Sequence, residues 1–248
     1  MSGTATGSTT LAFKYQHQYY LTMQPVNPPA TGSATPSSKW YNAGQKVGIK
    51  ATAKTGYKLL TWAGGGSGSY SGASTSTTIT MNAPIPKTDN FGVLITITSN
   101  PTGSGYVLVD GAAVKTPYTY TWTIGDSHTL AALSSVSCGT GCQYVFTSWS
   151  DGGAESHTIT VPGSPTTYKV TFQKQFLLTV NVNPQAGGTV KVSEGWYNAG
   201  QKITLTATAS TGYTFKSWTG KGSGSYNGTS SSPTITMNSA ITENANFT

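Results

Sequence analysis

The chain has 248 residues, of which only 8% are charged and 11% aromatic, and its net charge of +7 is carried by lysine without any arginine. So many rings exclude a disordered polar chain, because disorder goes with few aromatic residues. Arginine is the residue that makes bidentate contacts to phosphate and guanine, and its absence argues against dedicated nucleic-acid recognition. No apolar run is long enough for a membrane span.

In chain order, residues 1–16 read as a polar leader that closes on Leu11-Ala12-Phe13, the tail of a preceding repeat. The first repeat, residues 17–92, carries Trp40-Tyr41-Asn42-Ala43-Gly44-Gln45-Lys46, then Thr55-Gly56-Tyr57, Trp62, Gly66-Ser67-Gly68-Ser69-Tyr70 and Thr78-Ile79-Thr80-Met81-Asn82. The third repeat, residues 174–248, copies these at one constant offset: Trp196 to Lys202, Thr211 to Tyr213, Trp218, Gly222 to Tyr226 and Thr234 to Asn238. Residues 93–173 form a divergent middle repeat, in which Tyr144, Phe146 and Trp149 stand where the third repeat has Tyr213, Phe215 and Trp218. Each repeat is about 75–80 residues, the size of a small domain. The joins are too short for a free tether, so beads in semi-rigid series are expected.

Alternation with period two predicts strands throughout. Phe176, Leu178, Val180 and Val182 alternate with Leu177, Thr179, Asn181 and Asn183. Ile203, Leu205 and Ala207 alternate with threonines, and Tyr118, Tyr120 and Trp122 do the same. Gly-rich stretches such as Ala63 to Gly66 supply turns, and no amphipathic helix is found. The fold class is therefore all-β, with one face of each strand offering aliphatic groups to a core and the other offering hydroxyls to water. Tyr57 with Trp62, Tyr144 with Trp149, and Tyr213 with Trp218 are expected to fill these small cores, since one ring buries much area.

Cys138 and Cys142, separated by Gly-Thr-Gly, predict a local disulfide in a loop between two strands, and hence an oxidising, extracellular compartment. The seven carboxylates leave little for acid to protonate, so tolerance of low pH is expected. His128, His157, Asp126, Asp151 and Glu155 share the middle repeat with the cysteines. Their spacing matches no standard metal knuckle, so no metal and no cofactor are expected. His128 aligns with Ile203, which makes it a core-edge side chain. Asp151 and Glu155 lie in a Gly-rich turn, where solvation outweighs acid–base work, and no catalytic residue is assigned. Lys202, Glu243 and Asn246 hold the atoms of a Lys–Asn isopeptide bond, although spacing does not show burial. Trp40-Tyr41 and Trp196-Tyr197, at the edge of a repeat, are the candidate contacts to a ligand or partner. Closing the core is the alternative reading of these pairs.

The series Trp-Tyr-Asn-Ala-Gly-Gln-Lys, Gly-Tyr, Phe-Lys-Ser-Trp-Thr-Gly, Thr-Ile-Thr-Met-Asn and a final Asn-Phe resembles the divergent internalin-type B-repeat of bacterial and archaeal surface proteins. In the middle repeat, Ser99-Asn100-Pro101, Val107 to Gly111 and Thr116-Pro117-Tyr118 resemble the opening of a PEGA-type surface repeat. The resemblance implies small non-catalytic β modules, β-grasp-like in the internalin case; a β-sandwich remains the alternative. It also implies an extracellular or cell-surface spacer stalk or adhesive segment, and the tandem repeat with its exposed sheet edges adds the expectation of self-association into a filament or layer. Its partners would be copies of itself, neighbouring repeats or surface glycans. A glycan-binding accessory module of a secreted hydrolase is the second function expected.

Overall fold

The computed structural model describes residues 7, 10, 12–101 and 107–248. Leu11 and most of the expected leader lie outside the described residues, while Ala12 and Phe13 are exposed and belong to no strand. The described residues are all-β, with a single 3-10 turn at Gln185–Gly187 and no α-helix. Without a helix to cover a sheet, the alternative realised is the sandwich rather than the β-grasp. By its contacts the chain divides into two compact units: residues 1–95 with 120–126 and 161–166, and residues 96–119 with 127–160 and 167–248. The middle stretch contributes to both.

The first unit holds β1 (Gln18–Met23), β2 (Gly32–Thr35), β3 (Lys39–Asn42), β4 (Lys46–Ala53), β5 (Tyr57–Gly64), β6 (Ser76–Thr80) and the first part of β7 (Ile85–Asn100). One sheet runs β3–β1–β7–β5, with β1 and β7 parallel (Leu21 opposite Ile85) and the outer pairs antiparallel. The other runs β2–β4–β6, antiparallel. Alternation decides what each face holds. Val47, Ile49 and Ala51 of β4 meet Leu21, Leu59, Trp62, Ile85 and Phe91 of the facing sheet in one core. Trp62 is fully buried, and its Nε1 donates to the carbonyl of Ser74 at 3.0 Å.

The second unit opens with β8 (Val107–Val109) and β9 (Ala112–Val114), joined by Asp110-Gly111. Both turn residues have positive φ, 50° and 79°, as a two-residue hairpin demands, and Asp-Gly is a pair that tolerates it. There follow β10 (Tyr118–Trp122), most of which belongs to the first unit, then β11 (Ser127–Ala132), β12 (Ser135–Gly139), β13 (Cys142–Trp149), β14 (Ser156–Thr160) and β15 (Thr166–Asn183). A four-stranded sheet runs β14–β11–β8–β9, and β12–β13–β15 forms a second ladder.

The third repeat adds β16 (Gly188–Val190), β17 (Gly195–Asn198), β18 (Lys202–Thr204), β19 (Ala207–Ala209), β20 (Phe215–Lys221), β21 (Thr234–Thr236) and β22 (Ile241–Phe247). The order β17–β15–β22–β20, with β15 and β22 parallel, reproduces the first sandwich. The single strand β4 is here split into β18 and β19, which pair β21 and β16 respectively. Trp218, Leu205, Met237 and Phe247 fill this core.

Candidate contact site

Two features decide what either sandwich can touch: its strand edges and its exposed rings. In the four-stranded sheet of each sandwich one edge is bridged and the other is short and capped. On the outer side of β5, Trp62 exchanges backbone bonds with Gly72 (2.7 and 3.3 Å), and Trp218 does the same with Gly228 (2.8 and 3.3 Å). The Gly-rich hairpin also covers the second sheet, as Thr80 donates to the carbonyl of Gly68 and Thr236 to that of Gly224. Gly68 and Gly224 have φ of +85° and +90°, and a Cβ at either would overlap the carbonyl oxygen of that threonine. Glycine is therefore required for this lid to close. At the opposite edge β3 and β17 are only four residues long. There the amide N–H of Asn42 donates to Gln45 Oε1 and that of Asn198 to Gln201 Oε1, both at 3.1 Å. Short, capped edges of this kind resist strand addition.

The rings divide by strand parity. Tyr41 is only 7% exposed and belongs to the first core. Tyr197 is half-buried against the third core, its hydroxyl donating to the carbonyl of Ser193 at 2.6 Å. Each tyrosine therefore closes a core and is not a free contact, because it follows its tryptophan by one residue and points to the other face. Trp40 (62% exposed) and Trp196 (42%) face solvent. Tyr20, which sequence reasoning did not single out, stands opposite Trp40 across the β1–β3 pair, with ring centroids 5.2 Å apart. Its signal was available, since Tyr20 lies out of phase with the buried Leu21.

Of the residues expected in the cores, Trp62, Trp149 and Trp218 are buried. Tyr57 is half-buried and bonds through its hydroxyl to the carbonyl of Gly163, and Tyr144 is half-buried with Lys174 over its ring. Tyr213 is a correction: it is exposed, because it sits in the turn before β20 and not on the strand, and Phe215 fills the core beside Trp218 instead.

The titratable groups of the middle repeat form two separate pairs. Asp110 accepts from the backbone of Thr129 and meets His128 Nδ1 at 2.7 Å. The His128 hydrogen bond holds the Asp110 carboxyl below its ordinary range. Asp151 meets His157 Nε2 at 3.0 Å, and it also caps Gly153. Among the described residues no three such groups converge on a metal-sized point. Glu155 joins neither pair; its carbonyl receives the Trp149 indole. A cleft of about 330 Å³ in the first unit, between Asn27, Leu60, Asn90 and Ile124, is lined by no titratable side chain.

Cys138 and Cys142 are joined by a disulfide with Cα atoms 5.0 Å apart. They lie at the facing ends of β12 and β13, so the bridge closes a hairpin. Cys142 is buried within the third core, Cys138 packs against it, and Gly141 accepts the Leu177 amide at 3.0 Å. The ring closed is small, so its chain-entropy contribution is about 2 kcal/mol. Reduction is expected to lower the melting temperature of this unit by a few degrees and leave its β-sheet circular dichroism intact. Loss of the sheet signal on reduction would show instead that the hairpin holds the fold.

Three buried ionisable groups were missed as such by sequence reasoning: Lys87, Asp89 and Glu243. Lys87 and Glu243 occupy the same place in the two copies, beneath the Gly-rich hairpin. Lys87 Nζ donates to the carbonyl of Tyr70, whereas Glu243 Oε1 accepts the amide of Tyr226 at 2.7 Å. Burial pushes the Lys87 amine down and the Asp89 and Glu243 carboxyls up. Their parity with Ile85, Phe91, Ile241 and Phe247 was the available signal. The proposed isopeptide triad is not assembled, since Lys202 is exposed on β18 while Glu243 is fully buried.

Comparison with known proteins bears on both copies. A family model described as a divergent InlB B-repeat domain matches residues 21–93 and 178–248, together more than half of the chain. No curated protein matches it.

Proposed function

Since the chain belongs to the divergent InlB B-repeat family, we propose that it is a non-catalytic structural and adhesive segment of an extracellular or cell-surface protein, working as a spacer stalk. The observation that supports this reading is one sandwich built twice, with the same closed edges and the same solvent-facing tryptophan. Closed edges suit tandem modules, which otherwise cross-pair with copies of themselves. They weigh against a filament or layer assembled by strand pairing, so any association with other copies or neighbouring repeats would go through side-chain faces. The middle repeat, with its PEGA-like opening, would serve as a further surface module. A disulfide suits an oxidising compartment, and no helix is long and apolar enough to cross a membrane.

Antibody labelling of intact cells that make the parent protein tests this proposal. Surface labelling, removed by external protease, is expected; an epitope reached only after lysis would overturn it. A second reading, a glycan-binding accessory module of a secreted hydrolase, is favoured by the exposure of Trp40 and Trp196.

A further inference from the structure

We propose that Tyr20, Trp40, Gln18 and Asn42 form a subsite for one neutral pyranose unit of a soluble polysaccharide, a proposal that rests on the glycan-binding reading. The β1–β3 register sets Tyr20 opposite Trp40 and Gln18 opposite Asn42 on the solvent face. The two rings meet at 62° with centroids 5.2 Å apart. They form a corner rather than a plane, which suits the apolar face and flank of a single sugar ring and not a flat crystalline surface. Beside them Gln18 Nε2 donates to Asn42 Oδ1 at 3.0 Å. That bond orients both amides and leaves Gln18 Oε1 as an acceptor and Asn42 Nδ2 as a donor, the complement of neighbouring hydroxyls.

Charge selects among occupants. The outward residues of β1 and β3 are Gln18, Tyr20, Thr22, Trp40 and Asn42, all neutral. Lys39 lies on the other face, its Nζ 5.0 Å from the Tyr41 ring. An acidic glycan or peptide finds no counter-charge among the outward residues of β1 and β3. Size decides against a second copy: two large rings bury at most about 500 Å² per partner, against about 800 Å² per partner in a stable interface.

The third repeat is an internal control. There Leu177 replaces the second ring opposite Trp196, and the acceptor Gln175 Oε1 is already taken by Gln143 Nε2 at 3.0 Å. The same amide bond, Gln175 Nε2 to Asn198 Oδ1, is present at 3.0 Å, so the two sites differ in the ring and the acceptor.

Affinity electrophoresis of the full chain through gels holding mixed-linkage β-glucan, xylan or galactomannan, with alginate as the acidic comparison, tests this. Retardation by at least one neutral polysaccharide is expected; alginate, which attracts a chain of net charge +7 without any subsite, should slow the native chain and Trp40→Ala alike. Trp40→Ala and Tyr20→Ala should each weaken binding to the neutral polysaccharide about tenfold or more, while Trp196→Ala should change it less than about twofold. Trp40 is exposed, so Trp40→Ala should melt as the native chain does, which separates lost binding from lost fold. No retardation by any neutral polysaccharide, retention of that binding in Trp40→Ala, or equal loss in Trp196→Ala overturns the proposal. So does a concentration-dependent dimer that Trp40→Ala abolishes, which would assign the rings to a second copy. The surface-labelling result is independent of all these outcomes, so the spacer reading stands or falls separately.

Discussion

Trp218→Ala is expected to unfold the sandwich of the third repeat. The side chain is 1% exposed and packs on Phe215 at 5.9 Å, which in turn meets Phe247 at 5.5 Å. Removing a buried indole costs about 3–5 kcal/mol in lost transfer energy and cavity. That approaches the whole stability of many small domains, about 5 kcal/mol at the lower end. Urea denaturation followed by circular dichroism should lose the transition of the second unit and keep that of the first; Trp62→Ala should do the reverse. The milder Trp→Phe changes should differ between copies. Trp62 loses its bond to Ser74, worth about 1 kcal/mol, whereas Trp218 Nε1 has no partner to lose among the described residues. A Trp218→Ala variant with an unchanged transition would show that the β20–β22 core is not what holds the repeat.

Glu243→Gln is expected to make the stability of the second unit less dependent on pH, because it removes a buried titrating group while keeping an acceptor for the Tyr226 amide. The pH dependence has a definite sign. Burial raises the Glu243 and Asp89 carboxyls in the folded state, so the folded chain holds these protons more tightly than the unfolded chain does. Their contribution is fully present below the ordinary carboxylate range of about pH 4 and is lost as pH rises through the raised folded values. Lys87, pushed down by burial, penalises folding while it must stay charged, and that penalty fades as pH rises from its lowered value towards the ordinary lysine range. Asp110 runs opposite to the other two carboxyls, since its lowered carboxyl loses stability as pH falls, but it is exposed and its effect is screened. Melting temperature is therefore expected to be higher in mild acid than at neutrality, and Glu243→Gln should flatten that slope for the second unit. A native melting temperature that rises steadily from mild acid to neutrality would refute this account.

Composition and burial reach the expectation of low-pH tolerance by different routes. A count of seven carboxylates says that there is little to protonate; the structure adds that two of them are stabilised by protonation. The difference arises because the energy of a carboxyl depends on its desolvation, and desolvation is a property of the packed core.

Much of the fold is readable from the chain alone. Strand alternation, the Gly-rich punctuation and the gapless repeat are local or self-referential signals, and they suffice for an all-β chain whose first and third repeats are copies. Strand parity also places Trp62, Trp149 and Trp218 inside. Tyr41 and Tyr197 could have been separated from their tryptophans by the same parity, had the face of the core been known. Other features depend on partners distant in sequence. The parallel pairing of β1 with β7 brings Leu21 to Ile85, the Gly72 bridge seals β5, and Tyr20 meets Trp40 only because β3 returns beside β1. Repetition and period are written in neighbouring residues, so the sequence by itself determined the all-β class and the match between the first and third repeats. Edges, corners and buried charge are set by which strands come together, and only the tertiary structure decided them.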